Sequence, residues 1–181
     1  TDVEPDHAIR ALPLELPEPT LEDQASDMER LGRAAGREIS PHSSLTLLRK
    51  LPRILRRHNF KVTAIFQDDE LLGLEAPGSD AVLGLAVDIG TTTVAGVLVD
   101  LKTGADLATA SRTNPQAVHG DDVVTRIEYT AKSDEAVREL QGLVVKAINE
   151  IAHEAAAKAG VSWKNIYKLV AAGNTTMHHL L

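Results

Sequence analysis

The sequence predicts an α/β chain in which a small unit of helices and a hairpin precedes a lobe of strands built around one long helix. Three observations predict this. An almost unbroken apolar run, Gly84 to Ile89, meets a second, Thr93 to Val99, across a turn short enough only for a hairpin. An apolar stripe at helical spacing, through Val137, Leu140, Val144, Ala147, Ile148, Ile151 and Ala155, marks a long helix capped by Ser133 and ended by Gly160. A buried-type strand, Tyr167 to Ala172, then ends as the first does, in a short loop of glycine and threonine. With 181 residues and 43% apolar content, the chain has material for one ordinary domain or two small ones.

Taken in order, Thr1 to Thr20 carry Pro5, Pro13, Pro17 and Pro19, which predicts an extended linker lying along a neighbouring surface. Thr20 can cap a helix with Asp23 as its partner, with Leu21, Met28 and Leu31 as sparse apolar positions and Gly36 as the stop. A second helix from Ser43 carries Leu45, Leu47, Leu48, Leu51, Ile54 and Leu55, and Pro52 either kinks it or restarts it. Lys61 to Gln67 alternates, Asp68-Asp69 turns, and Leu71 to Glu75 returns as a hairpin; Ala76 to Ser79 is a hinge. Beyond the Gly90 hairpin, Leu101 to Gly104 turns and Asp106 to Ser111 adds a third strand. Asn114-Pro115-Gln116 and His119-Gly120 read as a polar loop before a short helix that Asp121 or Asp122 opens, with Val123, Val124 and Ile127 buried and Arg126 exposed or paired. Trp163 reads as a packing anchor at the approach to the last strand.

The chemistry concentrates at the two glycine and threonine loops. Gly90 lets a phosphate approach the backbone closely, and Thr91, Thr92 and Thr93 add amide and hydroxyl donors to the same concavity. Asp88 stands where a carboxylate would hold Mg²⁺ or an attacking water. Gly173, Asn174, Thr175 and Thr176 form the second loop. Against this stands a plain threonine-rich hairpin. The cations Arg49, Lys50, Arg53, Arg56, Arg57 and Lys61 form a solvated helix face or a patch for an acidic partner, or for the chain's own acidic linker. His178 and His179 are adjacent and diverge by about 100° on a helix, while His7, His42, His58, His119 and His153 show no ligand spacing.

A net charge of −7 and 3% aromatic content argue against nucleic-acid binding. No apolar run reaches the roughly 18 residues of a membrane span, and no signal peptide is visible. Absence of cysteine fits a reducing cytoplasm.

Four motifs in order, Gly84 to Thr93, Asn114-Pro115-Gln116, Gly120 to Ile127 and Ala172 to Leu180, resemble the ATP-dependent reductive activators of corrinoid proteins. The resemblance implies the first lobe of an actin-like (ribonuclease H-like) ATPase domain over 79–181, of the sugar-kinase and Hsp70 superfamily, after a linker over 1–36 and a small α+β middle domain over 37–78. It implies ATP and Mg as ligands. Asp88 would be catalytic and hold Mg or water, Gly90, Thr91, Thr92 and Thr93 would cradle phosphate, and Gly173, Asn174, Thr175 and Thr176 would line the facing edge. Asn114, Gln116, Asp121 and Asp122 would lie at the cleft mouth or partner face. The implied activity restores cob(II)alamin to cob(I)alamin in a corrinoid protein partner, with electrons from a [2Fe–2S] cluster of the parent. This chain has no cysteine to hold such a cluster and reads as an interior fragment, the opposite lobe lying beyond Leu181. Alternative readings are a sugar- or small-molecule kinase of the same superfamily, or a dimerisation or partner-docking module without catalysis.

Overall fold

A computed structural model describes residues 9–40, 43–79 and 81–181. The expectations resting on Pro5, His7 and His42 lie outside the described residues. Two compact units divide the chain, Thr1–Val82 and Leu83–Leu181, each with its own apolar core. No helix among the described residues is long and apolar enough to cross a membrane.

The first unit is a three-stranded antiparallel sheet in the order β1 (Ile9–Glu15), β2 (Lys61–Gln67), β3 (Glu70–Glu75), with helices α1 (Asp27–Ala35) and α2 (Leu45–Arg57). Part of the expected linker is therefore a strand. Ile9 to Glu15 pairs residue for residue with Gln67 to Lys61, and Pro13 is accommodated because β1 is an edge strand. The sheet thus joins residues on both sides of the boundary expected at 36. The cap of α1 also differs: Ser26, not Thr20, accepts from the Glu29 amide, while Thr20 Oγ1 only closes a turn onto the Asp23 amide. Asp23 is needed elsewhere. It ion-pairs with Arg30, a side chain only 1% exposed, and accepts from the Ala25 amide. That amide first, and then the guanidinium, hold the Asp23 carboxyl below its ordinary pKa.

Helix α2 runs unbroken through Pro52, burying Leu47, Leu51 and Leu55 at a spacing of one turn. Its cations Arg49, Lys50, Arg53, Arg56 and Arg57 are exposed, and Arg56 reaches Asp27 at 2.7 Å. The hairpin turn falls at Asp68, which takes a left-handed φ of 52°.

The second unit has a four-stranded sheet in the order β6-β5-β4-β7, built from β4 (Leu83–Ile89), β5 (Thr93–Asp100), β6 (Asp106–Thr113) and β7 (Ile166–Gly173). Strands β4, β5 and β6 form the antiparallel meander. Helices α3 (Val123–Thr130) and α4 (Asp134–Ala159) carry the chain across, so that β7 returns parallel to β4. Ser133 caps α4 onto the Ala136 amide and Gly160 ends it at φ 69°. The helix lays Leu140, Val144, Ile148 and Ile151 against Leu85, Val87, Val94 and Leu98.

Two expectations fail at the margins of this core. Strand β7 is not buried: Leu169 is 48% and Val170 59% exposed, because β7 is the edge strand and α4 packs over β5 and β6. Trp163 is 46% exposed and anchors nothing deep, its ring resting on His153 with centroids 4.4 Å apart.

Gly96 sets how closely α4 approaches the sheet, since a Cβ there would stand 2.6 Å from Ile151 Cγ2. Ile151 is fully buried and cannot swing aside. Gly96→Ala should therefore cost about 1–3 kcal/mol through overpacking. Urea unfolding of the chain checks this, and an unchanged midpoint would show that the helix has room to shift.

Candidate functional site

Parallel pairing of β4 with β7 sets Asp88 beside Ala172 and Ile89 beside Gly173, so the two glycine and threonine loops leave the same end of the sheet. Asn174 Nδ2 reaches Thr91 Oγ1 at 3.4 Å and joins them. Asp88 is exposed, its strand neighbours are Ala95 and Ala172, and among the described residues nothing donates to its carboxylate. The small neighbours leave space around that charge.

The loop Gly90-Thr91-Thr92 is held from beneath. Gly90 N donates to Thr93 O at 2.9 Å, and a Cβ on Gly90 would come within 2.7 Å of that oxygen, so the tight turn itself requires glycine. Three consecutive carbonyls are then tied inward: Gly90 O accepts from Asn114 Nδ2 at 2.8 Å, Thr91 O from Arg126 Nη2 at 2.7 Å, and Thr92 O from the Asn114 amide at 2.7 Å. In a trans peptide the N–H points opposite to the C=O. Tying the Gly90 and Thr91 carbonyls inward turns the Thr91 and Thr92 amides outward, toward the side where Thr92 is exposed. Outward amides in succession make an anion-binding concavity.

The donors beneath form one buried network. Asn114, Gln116 and Arg126 are each 0% exposed. Asn114 caps the 3₁₀ turn Pro115–His119 through the Gln116 amide, Gln116 Nε2 donates to Leu140 O at 3.0 Å, and Arg126 Nε donates to Gly120 O at 2.9 Å. Met177, 1% exposed, places its sulfur 3.8 Å from Asn114 Nδ2 and 3.9 Å from Arg126 Nη1. It belongs to the five-residue helix α5 (Thr175–His179), which Asn174 caps by accepting from the Met177 amide. Both loops therefore rest on the same support.

This placement corrects the sequence reading in two respects. Asn114 and Gln116 cannot line an open cleft, because they are wholly buried beneath the loop. Helix α3 is turned over: Val124 is 62% and Ile127 50% exposed, while Arg126 is the side chain inside. Burial draws the guanidinium pKa below its ordinary value, with the charges of Asp121 and Asp122 opposing. Asp122 opens α3 as anticipated, accepting from the Thr125 amide at 2.8 Å, which holds its carboxyl pKa down. Among the described residues, neither Asp121 nor Asp122 is hydrogen-bonded to the loop; Asp122 is engaged with Thr125. Arg126 and Met177 are the functional-site residues that sequence reasoning missed. Apolar periodicity pointed to the wrong face of a helix too short to average out, and nothing marks a methionine as a polar network's neighbour.

At the rim, Tyr129 stacks on His119 with ring centroids 4.2 Å apart, and Glu139 of α4 receives Tyr129 Oη at 2.6 Å and His119 Nε2 at 3.1 Å. His119 is thus engaged in packing α3 onto α4. Among the described residues, no group of three histidine or acidic side chains is placed to hold a metal ion.

Comparisons with known proteins match both units. Family models for the RACo linker region and the RACo middle region match residues 1–81 and 83–181. They divide the chain where the structure does, so the residues expected as a middle domain over 37–78 fall within the linker region, and the region named middle is the second unit. The corrinoid activation enzyme RamQ of Eubacterium limosum is 37% identical over 99 residues, covering 55% of this chain and 17% of RamQ. A solved structure of a reductive activator for corrinoid, iron-sulfur protein is 38% identical with a TM-score of 0.75, covering 99% of this chain and 30% of that one. The chain thus spans less than a third of the length of either relative.

Two outcomes test the site's support. Asn114→Ala removes the donor to Gly90 O and the cap of the 3₁₀ turn, and should cost about 1–3 kcal/mol in denaturant unfolding. Glu139 raises the Tyr129 pKa above its ordinary value, chiefly by accepting a hydrogen bond from its hydroxyl. Stability lent by this contact is complete below the ordinary tyrosine range and is lost as pH rises through the raised folded value. At the acid end it is lost as pH falls through the lowered Glu139 value, which the Tyr129 hydrogen bond sets first. In a Tyr167→Phe background, Glu139→Gln should move the phenolate absorbance transition to lower pH; an unmoved transition would show the contact absent in solution.

Proposed function

Since the chain belongs to the RACo family, whose linker and middle regions it spans, we propose that it serves the ATP-dependent reductive activation of a corrinoid protein. On this reading the second unit is the first lobe of an actin-like ATPase domain and supplies one wall of its phosphate site. The observation that carries it is the loop in which Gly90, Thr91 and Thr92 all turn their carbonyls onto Asn114 and Arg126, at the sheet end that also bears Asp88 and Asn174. Amides facing away from those carbonyls suit phosphate oxygens.

The residues have separate roles in this proposal. Among the described residues Asp88 has no hydrogen-bond donor and stands beside small side chains, which fits a magnesium ion bound through one carboxylate, phosphate oxygens and water. Such an ion would neutralise phosphate charge. Thr91, Thr92 and Thr93 bind and orient the phosphates, and Thr175 and Thr176, at the start of α5, line the facing edge. Asn174 fixes the spacing of the two loops. A [2Fe–2S] cluster does not fit this chain, which has no thiolate to offer. In the full-length protein, one electron supplied from elsewhere would convert cob(II)alamin to cob(I)alamin in the corrinoid partner, with ATP hydrolysis driving the uphill transfer. The two relatives, a corrinoid activation enzyme and a reductive activator for corrinoid, iron-sulfur protein, support that direction.

Asp88→Asn in the full-length protein should lower ATP turnover about 10²-fold or more while leaving the fold intact, because the lost charge is felt most in the phosphoryl-transfer transition state. Steady-state phosphate release, together with the absorbance change of a cob(II)alamin-loaded partner under reducing conditions, checks both halves of the proposal. Turnover like that of the wild type would leave Asp88 a surface residue of β4.

A further inference from the structure

Arg126 carries a full charge into the interior at 0% exposure; among the described residues no carboxylate is bonded to it, and the charges of Asp121 and Asp122 do not outweigh its burial. Its partners are neutral: the carbonyls of Thr91 and Gly120, the amide oxygen of Gln116 at 3.4 Å and the sulfur of Met177. An arginine whose only task was to tie carbonyls together would be a costly choice, since a buried ion with no directly bonded counter-charge is strongly penalised. Helix α3 also turns Val124 and Ile127 outward, to 62% and 50% exposure, in the same orientation that brings this guanidinium inside. Two unfavourable placements are thus tolerated for its contacts, of which the shortest reaches the loop.

That shortest contact is with the peptide joining Thr91 to Thr92. Its oxygen accepts from Arg126 Nη2 at 2.7 Å, so the plane of the peptide is set by a charged donor and its N–H faces the opposite way. A charge-assisted bond at the carbonyl also polarises the peptide and makes the opposing N–H a better donor. The charge itself sits behind the loop, where an anion on the outer side would meet its field through one layer of backbone and little water.

We infer that Arg126 is a positioning residue for the bound anion: it fixes the Thr92 amide outward and supplies the positive charge that a phosphate on the Gly90-Thr91-Thr92 loop would balance. The absence of a bonded carboxylate is then explained, because Asp121 and Asp122 offset only part of the cost of burial and the rest of the counter-charge arrives with the ligand. This rests on the nucleotide-phosphate reading of the loop. Arg126 touches no phosphate directly and acts through the loop peptide.

The test uses the full-length protein as wild type, Arg126→Met and Arg126→Lys. Affinity for Mg·ATP and for adenosine is measured by titration, and amide hydrogen exchange of residues 90–93 is followed without ligand. Arg126→Met should raise the Kd for Mg·ATP roughly tenfold or more, leave adenosine within about twofold, and speed exchange in the loop. Arg126→Lys keeps the charge without the fork, and should recover part of the ATP affinity, with a Kd about threefold above wild type. Equal weakening of ATP and adenosine would reduce Arg126 to a structural role and overturn the inference, as would unchanged ATP affinity in Arg126→Met. If that variant does not fold, Arg126→Lys decides, and behaviour identical to wild type in both affinity and exchange overturns the inference. Wild-type protein that binds no Mg·ATP would instead bring down the nucleotide reading, and this inference with it.

Discussion

The parallel pairing of β4 with β7 is the constraint from which the second unit follows. Two strands running the same way must be joined by a crossover, and here the crossover is the 3₁₀ turn at Pro115–His119, α3 and α4. The crossover supplies the apolar stripe that fills the core, and it also carries Asn114, Gln116 and Arg126 back under the β4 to β5 turn. Had β7 run antiparallel, its glycine and threonine loop would lie at the far end of the sheet from Thr91. Core and site are in this sense consequences of a single register, Asp88 against Ala172.

Much of this was legible in the sequence wherever one kind of periodicity ran long enough. The α4 stripe, its Ser133 and Gly160 boundaries, the meander and the final strand all appear where apolar spacing and turn residues place them. Local reading failed where a long-range partner decided. Ile9 to Glu15 looks like linker because Pro13 breaks its alternation, and only pairing with Lys61 to Gln67 makes it a strand. Thr20 and Ser26 are both acceptable caps by themselves. The choice falls to Ser26 because Asp23 is drawn to Arg30, a side chain buried at 1% exposure that no propensity scale would put inside.

The site divides along the same line. Gly90 to Thr93, Asp88 and Asn174 to Thr176 stand out as residue types in a spacing, and the structure gathers their loops at one sheet end. What holds them is nearly invisible beforehand. Asn114 and Gln116 read as residues of a cleft mouth or partner face, whereas their side chains are bonded to backbone and to each other beneath the loop. Arg126 reads as exposed or paired and is instead buried, because eight residues contain only two turns and its hydrogen bonds outweigh the apolar pattern.

Strand β7 has a further consequence for handling the chain. Among the described residues its outer edge bears no strand, and Leu169 and Val170 stand out from opposite faces beside it. An unprotected edge of that kind offers a row of backbone donors and acceptors to whatever extended segment comes near, its own copies included. Within Ile166–Gly173 the sole ionised side chain is Lys168, so one ammonium group is the entire gatekeeping of that edge whenever it lacks a neighbour.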